Sequence, residues 1–152
     1  MGYEKKVKKR FNILLIEDNR ADIRLMEEII NQSKIINQLD VVKDGVEAIN
    51  FLKKQGKYSN AMRPDLILLD LNLPKKNGLE VLLEIKKDDG LKRIPVIVLT
   101  ISGAEEDLLK AYDLHANCLI NKPIEIKTFY KIMNIIEEFW FRIVRLPEDS
   151  YI

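Results

Sequence analysis

The sequence predicts an α/β fold: one doubly wound, five-stranded parallel sheet with helices on both faces. Two observations carry this expectation. Short continuous apolar runs, the mark of strands buried on both sides, recur along the 152 residues. Segments with apolar residues at helical spacing separate them, in strict βα alternation. Right-handed crossovers then lay helices on both faces of the sheet.

The first strand is read at about Asn12 to Ile16. A helix follows over about Ala21 to Gln32, with Ile23, Met26, Ile29 and Ile30 on one face. The second strand is Leu39 to Val42, and Asp44-Gly45 turns into a helix over about Val46 to Lys54. That helix is expected to pack on Ala48, Ile49 and Leu52. Gly56 to Pro64 is a polar loop, somewhat long for an α/β connection. The third strand is Asp65 to Asp70; Pro74 and Gly78 bracket the next loop, and a helix runs over about Leu79 to Lys87. Pro95 opens a fourth strand ending at Leu99, followed by a helix over about Ala104 to Leu114. The fifth strand is about Asn117 to Ile120. The last helix begins near Glu125 and reaches about Val144, with Phe129, Ile132, Met133, Ile136, Trp140 and Ile143 as its sheet-facing stripe. The expected strand order is 2-1-3-4-5, the flavodoxin-like one, which makes strands one and three neighbours.

Composition narrows the class. Hydrophobic residues make up 47% and charged residues 32%, which suits one soluble globule rather than a disordered tail. A net charge of +1 gives no reason to expect nucleic-acid binding. No apolar run approaches the roughly 18 residues of a membrane span. The lone Cys118 reads as a small core residue and fits a reducing, cytoplasmic setting. Residues 1–10 form a basic arm (Lys5, Lys6, Lys8, Lys9, Arg10) without the apolar segment of a signal peptide. Residues 11–145 are expected to be the folded domain and 146–152 a tail.

The polar residues at the strand ends carry the chemistry. Glu17-Asp18 follows the first strand, Asp70 ends the third, Thr100 ends the fourth and Lys122-Pro123 follows the fifth. Open parallel sheets bind ligands at these carboxyl ends. Three carboxylates, a hydroxyl and an amine in one crevice suit a divalent cation and a phosphoryl group on Asp70. Each residue alone has a plainer reading. Glu17, Asp18 and Asn19 suit a helix cap, as do Thr100 and Ser102. Asp70 suits a turn, and Lys122 an ordinary surface lysine. Their joint occurrence, each at a strand end, outweighs four unrelated coincidences. His115, the only histidine, falls at the end of the fourth helix and reads as a helix-terminal residue.

Glu17-Asp18, Asp70 within Leu-Leu-Asp-Leu-Asn-Leu-Pro, Thr100 and Lys122-Pro123 resemble the receiver domain of two-component response regulators, over about Phe11 to Glu138. The stretch Asp70 to Gly78, with Glu138-Phe139-Trp140 and Leu146-Pro147, looks most like the small stand-alone receivers partnered with bacteriophytochromes. The resemblance implies a non-enzymatic signalling protein phosphorylated on Asp70 by a sensor histidine kinase or phosphotransfer protein. It implies Mg²⁺ held by the Asp18 and Asp70 carboxylates and the Asn72 carbonyl, with Glu17 acting directly or through a water. It gives Lys122 and Thr100 to the phosphoryl oxygens, and makes Pro123 a cis-proline that aims Lys122 inward. Output then needs a protein contact, a phosphorelay step or a change in assembly. A homodimer is expected, with Phe139, Trp140 and Phe141 as its interface and Ile135 adding to the apolar surface.

Three positions depart from the family pattern. Glu17 stands where Asp is usual, Ile101 where a small residue usually leaves room for the phosphoryl group, and Leu119 where many receivers carry an aromatic switch. Ile101 and Leu119 motivate a rival reading as a constitutive, unphosphorylated interaction module. An aspartate-nucleophile phosphatase is a second rival, but Asn72 stands where such enzymes need a general acid. A nucleotide-binding fold is a third, but no glycine-rich loop follows the first strand.

Overall fold

A computed structural model describes residues 11–32, 36–101, 105–122, 126–136 and 138. Its strands are β1 (Phe11–Ile16), β2 (Ile36–Val42), β3 (Leu66–Asp70), β4 (Val96–Thr100) and β5 (Cys118–Asn121). Its helices are α1 (Arg20–Asn31), α2 (Gly45–Leu52), α3 (Gly78–Lys87), α4 (Glu105–Asp113) and α5 (Ile126–Ile136). All neighbouring strands pair in parallel, in the order β2-β1-β3-β4-β5. This is the flavodoxin-like sheet expected from the sequence.

Every residue of β1, β3 and β4 is buried. Side chains alternate between the two faces with the period of two that a strand imposes. Leu14, Ile16, Ile67, Leu69, Val96 and Val98 meet the buried faces of α2 and α3. Ile13, Leu15, Leu66, Leu68, Ile97 and Leu99 meet Ile23, Met26, Ile29 and Ile30 of α1 and Met133 of α5. The four α1 residues are those whose spacing predicted the buried face. The one polar side chain inside β1, Asn12, donates from Nδ2 to Met62 Sδ at 3.9 Å, and its backbone is tied reciprocally to Asp65, just before β3. Its N–H donates to Asp65 Oδ2 at 2.9 Å, and its carbonyl accepts the Asp65 N–H at 2.8 Å.

The structure moves several boundaries. β2 starts at Ile36, three residues before the expected Leu39. It is an edge strand, and Asn37, Gln38 and Asp40 interrupt it, so it lacks the continuous apolar run that marks the inner strands. Gln38 and Asp40 bond to each other along it, Nε2 to Oδ1 at 3.1 Å. The Gly56 to Pro64 loop contains a 3-10 turn at Gly56–Tyr58, and the Tyr58 ring packs edge-on against Phe51, 5.3 Å between centroids. The remaining element ends fall within a residue or two of expectation, except α5, which is described only as far as Ile136.

Helix starts are set by side-chain caps. Asn19, Asp44 and Asn77 accept from the backbone N–H three residues on, at 3.1, 2.8 and 3.0 Å. Gly78 follows the last of these caps for a steric reason. A Cβ there would lie 2.4 Å from both the Asp70 carbonyl oxygen and Leu71 Cα. The Gly78 N–H donates to Leu71 O at 2.9 Å, so α3 begins pressed against the end of β3. Gly78→Ala is expected to cost about 2–3 kcal/mol, as overpacking against backbone that cannot yield. Urea unfolding would measure it, and a loss under about 0.5 kcal/mol, within the range of an ordinary surface change, would contradict the contact.

Among the described residues no helix is long and apolar enough to cross a membrane. The 1–10 arm, the 146–152 tail, Ser102, Pro123, and Phe139, Trp140 and Phe141 lie outside the described residues.

Candidate functional site

Strand register assembles the site. Ile16 pairs with Leu69, so Glu17, the next residue along, stands beside Asp70. The Glu17 N–H donates to Val42 O at 3.0 Å, continuing the β1–β2 ladder one residue past the strand. Asp70 pairs with Leu99, and Thr100 with Asn121. The Lys122 N–H then donates to Thr100 O at 2.7 Å, which fixes where the lysine side chain departs. Glu17, Asp70, Thr100 and Lys122 therefore line one edge of the sheet, at the carboxyl ends expected from the sequence.

Glu17 and Thr100 are each 1% exposed and Asp70 5%, whereas Asp18 and Asn72 are exposed. One carboxylate oxygen from each of Glu17, Asp18 and Asp70 can be chosen so that all lie within 4.8 Å of one another. Local backbone holds two of these groups. Glu17 Oε2 accepts the Asp18 N–H at 3.1 Å and the Asn19 N–H at 3.4 Å. Asp70 Oδ1 accepts the Asn72 N–H at 3.0 Å, which folds the loop after β3 back over the carboxylate.

The Lys122 side chain, 7% exposed, reaches into this acidic group. Its ammonium pairs with Glu17 Oε1, donates to Asp22 Oδ2 at 2.9 Å and lies 3.7 Å from Asp70 Oδ2. Burial pushes the Glu17 carboxyl up to about 7, aided by its hydrogen bond with Asp70, while Lys122 pulls the other way. Burial alone would lower the Lys122 ammonium, but its bonds to Glu17 and Asp22 outweigh that and hold it above its ordinary value.

The Lys122 ammonium thus faces three carboxylates, Glu17, Asp22 and Asp70, and Asp18 stands as a fourth beside Glu17 and Asp70. Such a set is short of positive charge, and an added cation relieves it. The available donors are all oxygens, which suits a hard divalent ion rather than a thiolate- or imidazole-seeking one. The fit to a divalent cation is good on these grounds.

Asp22 is the one member that the sequence did not single out. An acid in the first turn of a helix is common because it faces the positive end of the helix dipole, so it carries no signal of its own. Among the residues expected around the site, Ile101 is 70% exposed, its bulk standing in water one residue past Thr100. Leu119 is half-buried and packs against the α2–α3 side of the core. His115 follows α4 with φ of 66°, its N–H donating to Tyr112 O at 2.9 Å, which is the helix-terminal role expected of it. Cys118 is half-buried among the core residues beneath α1 and α5, as expected, and burial pushes its thiol up. On α5, Met133 is buried while Ile135 is 65% exposed.

Residues 13–134 match the sequence model of the response regulator receiver domain. The response regulator Rcp1 of Synechocystis sp. is 51% identical over 135 residues, covering 89% of this chain and 92% of that protein. The crystal structure of the phosphorylated cyanobacterial phytochrome response regulator RcpA superposes with a TM-score of 0.83 at 51% identity, over 91% of this chain and 99% of that one. The Mn²⁺-bound form of Rcp1 superposes with a TM-score of 0.81 at 50% identity, over the same shares of the two chains.

Proposed function

The chain belongs to the response regulator receiver domain family of two-component signalling, and we propose that it accepts a phosphoryl group on Asp70. The donor is a sensor histidine kinase or a phosphotransfer protein. Similarity to a cyanobacterial phytochrome response regulator supports a phytochrome-type kinase in that role. The observation that carries the reading is the meeting of Glu17, Asp18, Asp70 and Lys122 at one sheet edge.

Mg²⁺ is the cation proposed, held by the carboxylates of Asp18 and Asp70 and the Asn72 carbonyl, with Glu17 acting directly or through a water. Bound there, it offsets the charge of the carboxylates and of the incoming phosphoryl oxygens. The manganese-bound form of Rcp1 supports a divalent ion.

The protein's own residues do the positioning. The Asn72 N–H occupies Asp70 Oδ1, which leaves Oδ2 on the Lys122 side as the attacking atom. A new P–O bond forms there as the P–N bond to the donor histidine breaks, and the imidazole leaves with its electron pair. Lys122 donates to a phosphoryl oxygen, and Thr100 offers its hydroxyl to another, drawing its loop toward Asp70. Pro123 sets the approach of Lys122. Preorganised charge of this kind is the main catalytic resource in phosphoryl transfer.

The receiver domain is taken as residues 11–145, with the basic arm 1–10 and the tail 146–152 flanking it. It acts in the cytoplasm through contacts with a partner or with a second copy. Phe139, Trp140 and Phe141 are the proposed dimer surface, and the exposure of Ile135 on α5 supports an apolar contact near this end of the domain. Nucleic acid and membranes are not proposed as partners.

Beryllofluoride, a phosphoryl mimic, tests the reading directly. With Mg²⁺ it is expected to raise the Tm, and with either component left out it is expected to do nothing comparable. An equal response to beryllofluoride without any divalent cation would contradict the proposed site.

A further inference from the structure

We infer that Asp22 is a positioning residue for Lys122, holding its ammonium away from Asp70 until a phosphoryl group takes its place. The inference rests on the phosphoacceptor reading of Asp70 for its functional consequence, but the contact itself stands on geometry.

The Lys122 side chain is 7% exposed, and its ammonium has three N–H groups to place. Two go to Glu17 and Asp22. Asp70 Oδ2, at 3.7 Å, is beyond a hydrogen bond. The resting amine is therefore shared between two carboxylates on the β1–α1 side of the crevice. Glu17 is one of the three carboxylates grouped for a cation, so its hold on the amine weakens when a cation is bound. Asp22 does not belong to that group. It keeps its claim on Lys122 whether or not a cation is bound.

The placement of Asp22 suits this task. Its own N–H donates to the Asn19 side chain that caps α1, which anchors its backbone in the first turn of the helix. Its side chain is 35% exposed, so it holds the amine through a partly hydrated bond that a dianionic phosphoryl group can displace. A fully buried carboxylate would hold the amine too firmly for exchange. Asp22 thus sets how much of the attraction between Lys122 and the phosphoryl group is spent in breaking a resting contact.

Asp22→Asn keeps the shape and the cap while removing the charge. With saturating Mg²⁺, beryllofluoride is expected to bind this variant about tenfold more tightly than wild type, the size of one charge-assisted hydrogen bond no longer broken. Mg²⁺ affinity, measured separately, is expected to fall, because the acidic group loses one negative charge and Lys122 turns toward Asp70, so tighter beryllofluoride binding is opposite in sign to what a weakened cation site or a damaged fold would give. Unchanged or weaker beryllofluoride binding overturns the inference. A crystal structure of the metal-free variant separates the contact from a mere loss of negative charge. The Lys122 ammonium is expected to close from 3.7 Å to hydrogen-bonding distance of Asp70. An ammonium that stays in its present position overturns the inference even where the affinity rises. If wild type binds no beryllofluoride with Mg²⁺, the phosphoacceptor reading falls, and the crystal structure still decides the contact.

Discussion

Divalent-cation affinity is expected to weaken about 30-fold between about pH 8 and about pH 5.5, because a cation must then displace a proton from Glu17. Burial raises the Glu17 carboxyl from its ordinary 4.5 to about 7. At the higher pH it is mostly ionised and ready to take a cation; at the lower it is mostly protonated. The same shift has a consequence for the metal-free protein, with a definite sign. Between 4.5 and about 7 the folded state binds more protons at Glu17 than the unfolded state does. The Glu17 contribution to stability is therefore full below 4.5 and is lost as the pH rises through about 7. Stabilisation by added Mg²⁺ should accordingly be larger on the alkaline side. Calorimetric titration at both pH values measures the first effect, and thermal melts with and without Mg²⁺ the second. Glu17→Gln removes the titrating group, and in that variant the pH dependence should flatten across this window. An equally steep dependence in Glu17→Gln would assign it to another group.

Lys122→Met is expected to destabilise the metal-free protein by about 3–5 kcal/mol near neutral pH, since it leaves buried carboxylates without their counter-ion. Glu17 and Asp70 are nearly inaccessible to water, and the lysine ammonium is the cation placed between them. Saturating Mg²⁺ should recover part of that loss, because the metal then supplies positive charge to the same acidic group. Denaturant melts with and without Mg²⁺ measure both halves. A variant as stable as wild type without metal would mean that the carboxylates are far better hydrated than their burial indicates. A loss that Mg²⁺ leaves untouched would mean that the lysine supports the fold elsewhere.

The inner sheet was legible because its strands are buried on both faces. Leu14-Leu15-Ile16, Ile67-Leu68-Leu69 and Val96-Ile97-Val98 need apolar residues at every position, so the runs stand out from any helix pattern. β2 was read three residues short because, at the edge of the sheet, its first residues are not required to be apolar throughout. Gln38 and Asp40 break the run without breaking the strand. The Gly56–Tyr58 turn was missed because nothing in its polar loop marks Tyr58 as packing on Phe51.

The site was legible for a related reason. Parallel topology brings the residues after successive strands to one edge, so Glu17, Asp70, Thr100 and Lys122 announce themselves by position. Asp22 does not, because it comes from within a helix. Whether a first-turn acid faces solvent or a buried lysine depends on how α1 lies across the sheet, and that depends on packing between residues a hundred positions apart. Gly78 is a similar case. It was read only as closing the loop that Pro74 opens, because the close approach to Asp70 O that requires a glycine exists only once α3 is folded against β3.

Intact mass after incubation with Mg²⁺ and a small acyl phosphate, on wild type and on Asp70→Asn, tests the central claim most directly. Wild type should gain a single phosphoryl group and Asp70→Asn none. An adduct of equal yield on Asp70→Asn would place the acceptor elsewhere. No adduct on wild type, together with no response to beryllofluoride, would contradict the phosphoacceptor account and leave the same fold serving as an unphosphorylated interaction module.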